Sequence, residues 1–102
     1  MTDITVVYWR DIPAQVIAGG GRRGAKVQLS ERFEQAIDRA AMKSGAAGTD
    51  DYLSEWRKAP GAPEEGAGDD AAAAAAARIE AAYDKDRLRA LIEAGGWEHA
   101  AE

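Results

Sequence analysis

The chain has 102 residues, a formal net charge of −5, no cysteine and one histidine. A chain of this length forms one small domain, which excludes a two-domain enzyme that carries its own cofactor-binding half. The lack of cysteine excludes disulfides, a thiolate nucleophile and thiolate zinc sites, and the lone His99 excludes a multi-histidine metal site.

The charge is divided unevenly along the chain. Residues 1–58 hold nine Lys or Arg and eight Asp or Glu, whereas residues 59–102 hold four and ten. We therefore expect any surface for an anionic partner in the first part, where Arg10, Arg22, Arg23 and Lys26 cluster in sequence. No apolar run approaches the roughly 20 residues of a membrane-spanning helix, and the start lacks the basic region of a signal peptide, so we expect a cytoplasmic protein.

Three strands are predicted in the first 29 residues. Ile4–Trp9 is β-branched and aromatic, residues 14–18 are mainly apolar, and residues 25–29 alternate apolar and polar side chains. Pro13 removes a hydrogen-bond donor, so we expect a turn or bulge between the first two strands. The glycines of residues 19–24 suit a hairpin loop. The pattern predicts a small antiparallel sheet of about three strands.

Two helices are predicted next. From Ser30 onward, apolar residues recur at the i, i+3, i+4, i+7 spacing of one helical face, with Ser30 as the N-cap and Gly45 as the stop. A shorter helix is predicted over residues 49–58, with acidic residues in its first turn and basic residues in its last, where the helix dipole favours these charges. Together with the sheet they predict an α+β core domain over residues 1–58.

The composition changes after residue 58. Residues 59–70, rich in Pro, Gly, Ala and acidic residues, are predicted to form a flexible linker. Seven alanines then open a C-terminal helix or helix pair over residues 71–95, in which residues 84–86 mark a kink or a cap that restarts the helix. This segment either packs back onto the core or reaches a partner.

The loop over residues 19–24 spells Gly19-x-Gly21-x-x-Gly24, the dinucleotide-binding fingerprint. A strand follows it where that motif requires a helix N-terminus, and the Lys-Ser/Thr of a phosphate loop is missing. The interpretation is a hairpin tip, which is either simply solvated or contacts a phosphate, RNA or an acidic protein surface through Arg22 and Arg23.

No catalytic constellation stands out, so we predict no catalytic residues, no cofactor and no metal ligands. An enzyme would need a metal or a partner's residues to complete its site, and a pocket that joined Arg10, Asp11 and Gln15 would favour one. Trp9 is either a core residue or, if exposed beside Arg10, a partner contact. The candidate binding patch consists of Trp9, Arg10, Gln15, Arg22, Arg23 and Lys26.

Several motifs together resemble one known family. They are Tyr8-Trp9-Arg10-Asp11-Ile12-Pro13-Ala14-Gln15-Val16, Arg22-Arg23-Gly24, Gln28-Leu29-Ser30-x-Arg32-Phe33 and Tyr52-Leu53-x-x-Trp56-Arg57. Over about residues 4–95 the chain resembles the small bacterial family labelled "virulence factor". That label describes a phenotype and implies no reaction. The resemblance implies a small accessory subunit associated with enzymes of methyl transfer and folate one-carbon metabolism.

These observations predict a non-catalytic accessory or interaction module with a protein partner and no membrane attachment. The alternative is phosphate or nucleic-acid binding through the hairpin tip, which would weaken steeply with salt and on replacement of Arg22 and Arg23.

Overall fold

The computed structural model describes residues 2–19, 25–48, 50–66 and 68–97. Within these ranges the elements are β1 Ile4–Trp9, β2 Ile12–Ala18, β3 Ala25–Gln28, α1 Glu31–Ser44, α2 Asp50–Ser54, β4 Trp56–Pro60, α3 Gly68–Ala82 and α4 Lys85–Glu93. The strands form one antiparallel sheet in the order β3-β2-β1-β4. The predicted α+β fold, with an antiparallel sheet packed by helices, is confirmed.

The sheet has one strand more than predicted. Trp56–Pro60 pairs with β1, although composition had predicted that this stretch ends the second helix and begins a linker. Helix α2 accordingly ends at Ser54. The two basic residues, Arg57 and Lys58, suit an edge strand as well as a helix end, because charges and a terminal proline protect an exposed edge from further pairing. Pairing with β1 decides between these two local possibilities.

The segment after β4 stays beside the first strand. The backbone N–H of Gly61 donates to the carbonyl of Ile4 at 2.8 Å, and Thr2 and Glu64 form an isolated antiparallel bridge. Glu64 also pairs with Arg78 of α3. These contacts hold the segment after β4 against the sheet, although its composition alone predicted a flexible linker.

Helix α3 covers one face of the sheet. In β1 the residues Ile4 and Val6 are buried while Thr5 between them is half-buried, as expected when one face is covered. Ile4 and Val6 line a cavity together with Ala75 and Ile79 of α3. The short side chains of alanine let the helix approach the strands closely. The buried face of α3 consists of Ala71, Ala72, Ala75 and Ala76.

The ends of α1 and α4 lie where the sequence predicted them. Helix α1 follows Ser30 and ends at Gly45, whose φ of +81° is the left-handed conformation that favours glycine. The predicted break near residue 84 is a new N-cap, since the Asp84 side chain accepts a hydrogen bond from the backbone N–H of Arg87 at 2.9 Å. Helix α4 then packs against α1. None of the helices in the described ranges is long and apolar enough to cross a membrane.

Candidate functional site

Arg10, in the turn between β1 and β2, is held by distant parts of the chain. Its Nε donates to Oε2 of Glu55 at 2.8 Å, and its Nη1 donates to the carbonyl of Gly95 at 2.7 Å. Its guanidinium lies 4.7 Å from the ring centroid of Trp9 and 5.1 Å from that of Trp97. Only 12% of the Arg10 side chain is exposed. We call these five residues the Arg10 clasp.

The neighbours of Arg10 in the sequence motif are also engaged within the molecule. Asp11 pairs with Nη2 of Arg57 at 2.9 Å, and Nε of Arg57 donates to the carbonyl of Arg10 at 3.0 Å. Trp9 is fully buried, and its Nε1 donates to the carbonyl of Tyr52 at 2.9 Å. Trp9 is therefore a core residue, and the motif joins the β1–β2 turn to α2, β4 and the end of α4.

The other predicted patch residues lie farther along the sheet. Lys26 is exposed on β3 opposite Ile17, and Gln15 is half-buried on β2. At about 3.4 Å per residue, Lys26 lies roughly 17 Å along β2 from the turn that holds Arg10. Gln15 likewise stands well away from Arg10 and Asp11. Arg22 and Arg23 lie outside the described residues, so the hairpin tip stays a prediction.

A groove between α1 and α4 gathers positive charge instead. It encloses a cavity of about 350 Å³. Its apolar lining consists of Ala36, Leu88 and Ile92, and Glu93 contributes a single carboxylate. The cations that line it are Arg32, Arg39, Lys43, Lys85 and Arg89. We call this surface the basic groove.

Four of the five cations in the basic groove form no ion pair with another residue that the structure describes. Arg32 pairs with Glu80 at 3.0 Å. Within the described part of the chain, none of the others, Arg39, Lys43, Lys85 and Arg89, forms an ion pair within 4.0 Å. Like charges at this spacing repel one another, and an anion bound between them would remove that repulsion. The basic groove is thus electrostatically suited to an acidic ligand.

The sequence contained a signal for this groove that the charge count missed. Arg32, Arg39 and Lys43 stand at i, i+7 and i+11, and at about 100° per residue they fall within about 40° of one another on α1. Glu34 and Asp38 fall on the opposite side of the helix. A count of charges along the chain does not separate these two stripes of opposite charge on α1.

Glu80 fastens α3 to the start of α1, beside the basic groove. Its carboxylate accepts hydrogen bonds from the backbone N–H of Ser30 at 2.7 Å, from the Ser30 hydroxyl at 2.8 Å and from Arg32. Arg32 also donates to the carbonyls of Glu80 and Tyr83. Burial alone would raise the pKa of Glu80, but the hydrogen bonds from Ser30 and the charge of Arg32 outweigh it and hold that pKa below 4.5.

The described residues hold no group of three or more His, Asp or Glu side chains placed to bind a metal ion.

Comparison with known proteins identifies a family. The family model described as virulence factor matches residues 7–92. No curated protein and no solved structure matches the chain. The matched range starts in β1 and extends into α4, so it contains the Trp9-Arg10-Asp11 motif and most of the basic groove. The chain belongs to the virulence factor family.

Proposed function

We propose that this protein is a non-catalytic interaction module that binds an acidic segment of a protein partner in its basic groove. The observation that carries the proposal is the grouping of five cations with one carboxylate around an apolar lining, on a protein of net charge −5. Local charge opposite to the average charge marks a surface on which a particular partner is recognised.

A protein segment with acidic and apolar side chains matches both features of the groove. Its carboxylates would pair with the four cations that form no ion pair among the described residues. Its apolar side chains would cover Ile92, which is half-buried, and release the water between the two helices. Arginine supports such recognition well, because its guanidinium binds a carboxylate through two parallel hydrogen bonds.

Nucleic acid matches the groove less well than an acidic protein segment does. A long polyanion meets the field of the whole protein, whose net charge of −5 repels it, whereas a short segment responds mainly to charges within the Debye length of about 8–10 Å. The residues that line the groove, all in the described part of the chain, include no aromatic ring on which bases could stack.

The family resemblance supports a more specific role. It implies an accessory subunit of a cytoplasmic enzyme of methyl transfer or folate one-carbon metabolism, and we propose such enzymes as the first partners to test. Nothing in this role requires the module to carry catalytic groups of its own.

The test is a pull-down from the native host with the tagged full chain at low salt. The groove variant is Arg39→Glu/Lys43→Glu, and the matched control is Lys26→Glu/Lys58→Glu, which makes the same charge change on the sheet. All four residues are exposed, so circular dichroism should show that both variants stay folded.

We expect the wild type and the control to capture one stoichiometric protein that the groove variant loses. With that partner purified, the groove variant should bind at least about tenfold more weakly, and wild-type binding should weaken as salt rises. Capture that survives reversal of the groove charges, or no captured protein at low salt, would refute the proposal. Binding that nuclease abolishes and that Arg22→Ala/Arg23→Ala weakens would favour the hairpin-tip alternative instead.

A further inference from the structure

A second cavity lies on the other side of α1 from the basic groove. Its volume is about 300 Å³, and it is formed where α1 passes the strands and α2. Its polar and aromatic lining consists of Gln28, Glu34, Asp38, Tyr52 and Trp56, with Ala14 and Ile37 completing it. We call it the acidic cavity.

Two aromatic rings form a corner of the acidic cavity. The rings of Tyr52 and Trp56 have centroids 6.1 Å apart and are nearly perpendicular, with an interplanar angle of 89°. Tyr52 is held in place from behind, because its carbonyl accepts the hydrogen bond from the buried Trp9 and its ring packs 5.8 Å from the Trp9 ring. The corner is therefore built before any ligand arrives.

Two carboxylates one helical turn apart face this corner. Glu34 and Asp38 form no ion pair within 4.0 Å among the residues that the structure describes. Their charge reaches the aromatic wall: burial, then Asp38 and then Glu34 raise the pKa of Tyr52 above 10.0. The part of this increase that comes from Asp38 and Glu34 shows that the two carboxylates place negative potential at the Tyr52 ring, and negative potential attracts a cation.

We propose that the acidic cavity binds a methylated organic ammonium group. Such a cation is attracted both by the faces of aromatic rings and by carboxylates, and its methyl groups make it cheap to desolvate against Tyr52 and Trp56. A hard metal ion such as Ca²⁺ would require six or more oxygen ligands. An anion would be repelled by Glu34 and Asp38.

The rest of the ligand has a place to extend. A neighbouring cavity, also about 300 Å³, shares Asp38 and Tyr52 with the first and is otherwise lined by Ala41, Met42, Ala47 and Gly48. Met42 is 70% exposed and offers an apolar surface beside this cavity. A carbon chain attached to the ammonium group would lie along this surface.

The experiment is an NMR titration of the full-length ¹⁵N-labelled protein with choline and with 3,3-dimethyl-1-butanol, in which a carbon replaces the charged nitrogen. A peptide that contains trimethyllysine is titrated in parallel, because a small molecule and a protein side chain can both present this group. The variant is Asp38→Asn, and the matched control is Asp3→Asn, since both positions are exposed.

We expect choline or the peptide to shift the Trp56 indole resonance and the amides of residues 34–38 saturably, with a millimolar dissociation constant. The uncharged analogue should bind at least about tenfold more weakly, and Asp38→Asn should weaken binding about fivefold or more while Asp3→Asn does not. The tighter of the two charged probes identifies the source of the group. Equal affinity for the uncharged analogue, no effect of Asp38→Asn, or no saturable shift with either charged probe up to about 100 mM would overturn the proposal.

Discussion

Replacing Glu80 with glutamine tests the contact that fastens α3 to α1. The amide keeps one acceptor oxygen and puts an NH2 group in place of the other. That group then faces a donor, either the backbone N–H of Ser30 or the guanidinium of Arg32. Hydrogen bonds to a charged group contribute about 1.5–3 kcal/mol to stability, and because 31% of the Glu80 side chain is exposed, water screens part of this. We expect the free energy of unfolding to fall by about 1–2 kcal/mol, which lowers the melting temperature by about 5–10 °C.

The effect of Glu80→Gln depends on pH in a defined direction. The pKa of Glu80 in the folded protein lies below its ordinary value of 4.5, so the ionised carboxylate stabilises the fold above that pH. This contribution is lost as the pH falls through the folded-state pKa. The wild type and Glu80→Gln should therefore differ at neutral pH, and the difference should shrink as the pH falls below 4.5.

The assay is thermal and urea unfolding followed by circular dichroism at neutral pH and at a series of pH values below 4.5. Glu65→Gln is the matched control. Glu65 is exposed, and its replacement removes the same charge without removing the contacts of Glu80. A melting temperature of Glu80→Gln equal to that of the wild type at neutral pH would refute the reasoning. So would a difference that persists undiminished at low pH.

Two further predictions concern packing at the C-terminal end. Gly96→Ala should destabilise the protein by more than Gly48→Ala. Both glycines have positive φ, a conformation that costs another residue about 1–3 kcal/mol. Of the two, only Gly96 would place its new Cβ 2.9 Å from the Trp9 ring. Equal melting temperatures of the two variants would contradict this clash. Ending the chain after Lys58 removes α3 and exposes Ile4 and Val6 to water. The truncated chain should therefore lose its cooperative thermal transition. A cooperative transition in the truncated chain would contradict this prediction, because it would show that the sheet is stable without α3.

The sequence by itself determined the features that depend on a few neighbouring residues. The strand Ile4–Trp9, the start of α1 after Ser30, the left-handed stop at Gly45 and the restart at Asp84 were all predictable, although the Ser30 hydroxyl bonds to Glu80 and does not cap α1. Each rests on a side-chain pattern or a hydrogen bond that spans no more than about one helical turn. The position of the alanine helix was predictable for the same reason.

Only the tertiary structure decided where those elements meet. Trp56–Pro60 forms a strand because it pairs with the edge of β1 that β2 leaves free. Arg10 is held in the Arg10 clasp because the carbonyl of Gly95, 85 residues away in the sequence, accepts its hydrogen bond. The basic groove likewise exists because α4 brings its cations beside the positive stripe of α1. Charge counts along a chain cannot find such a site, because the electrostatic potential of a surface depends on the distances between its charges in space. For residues far apart in sequence, those distances are fixed only when the chain folds.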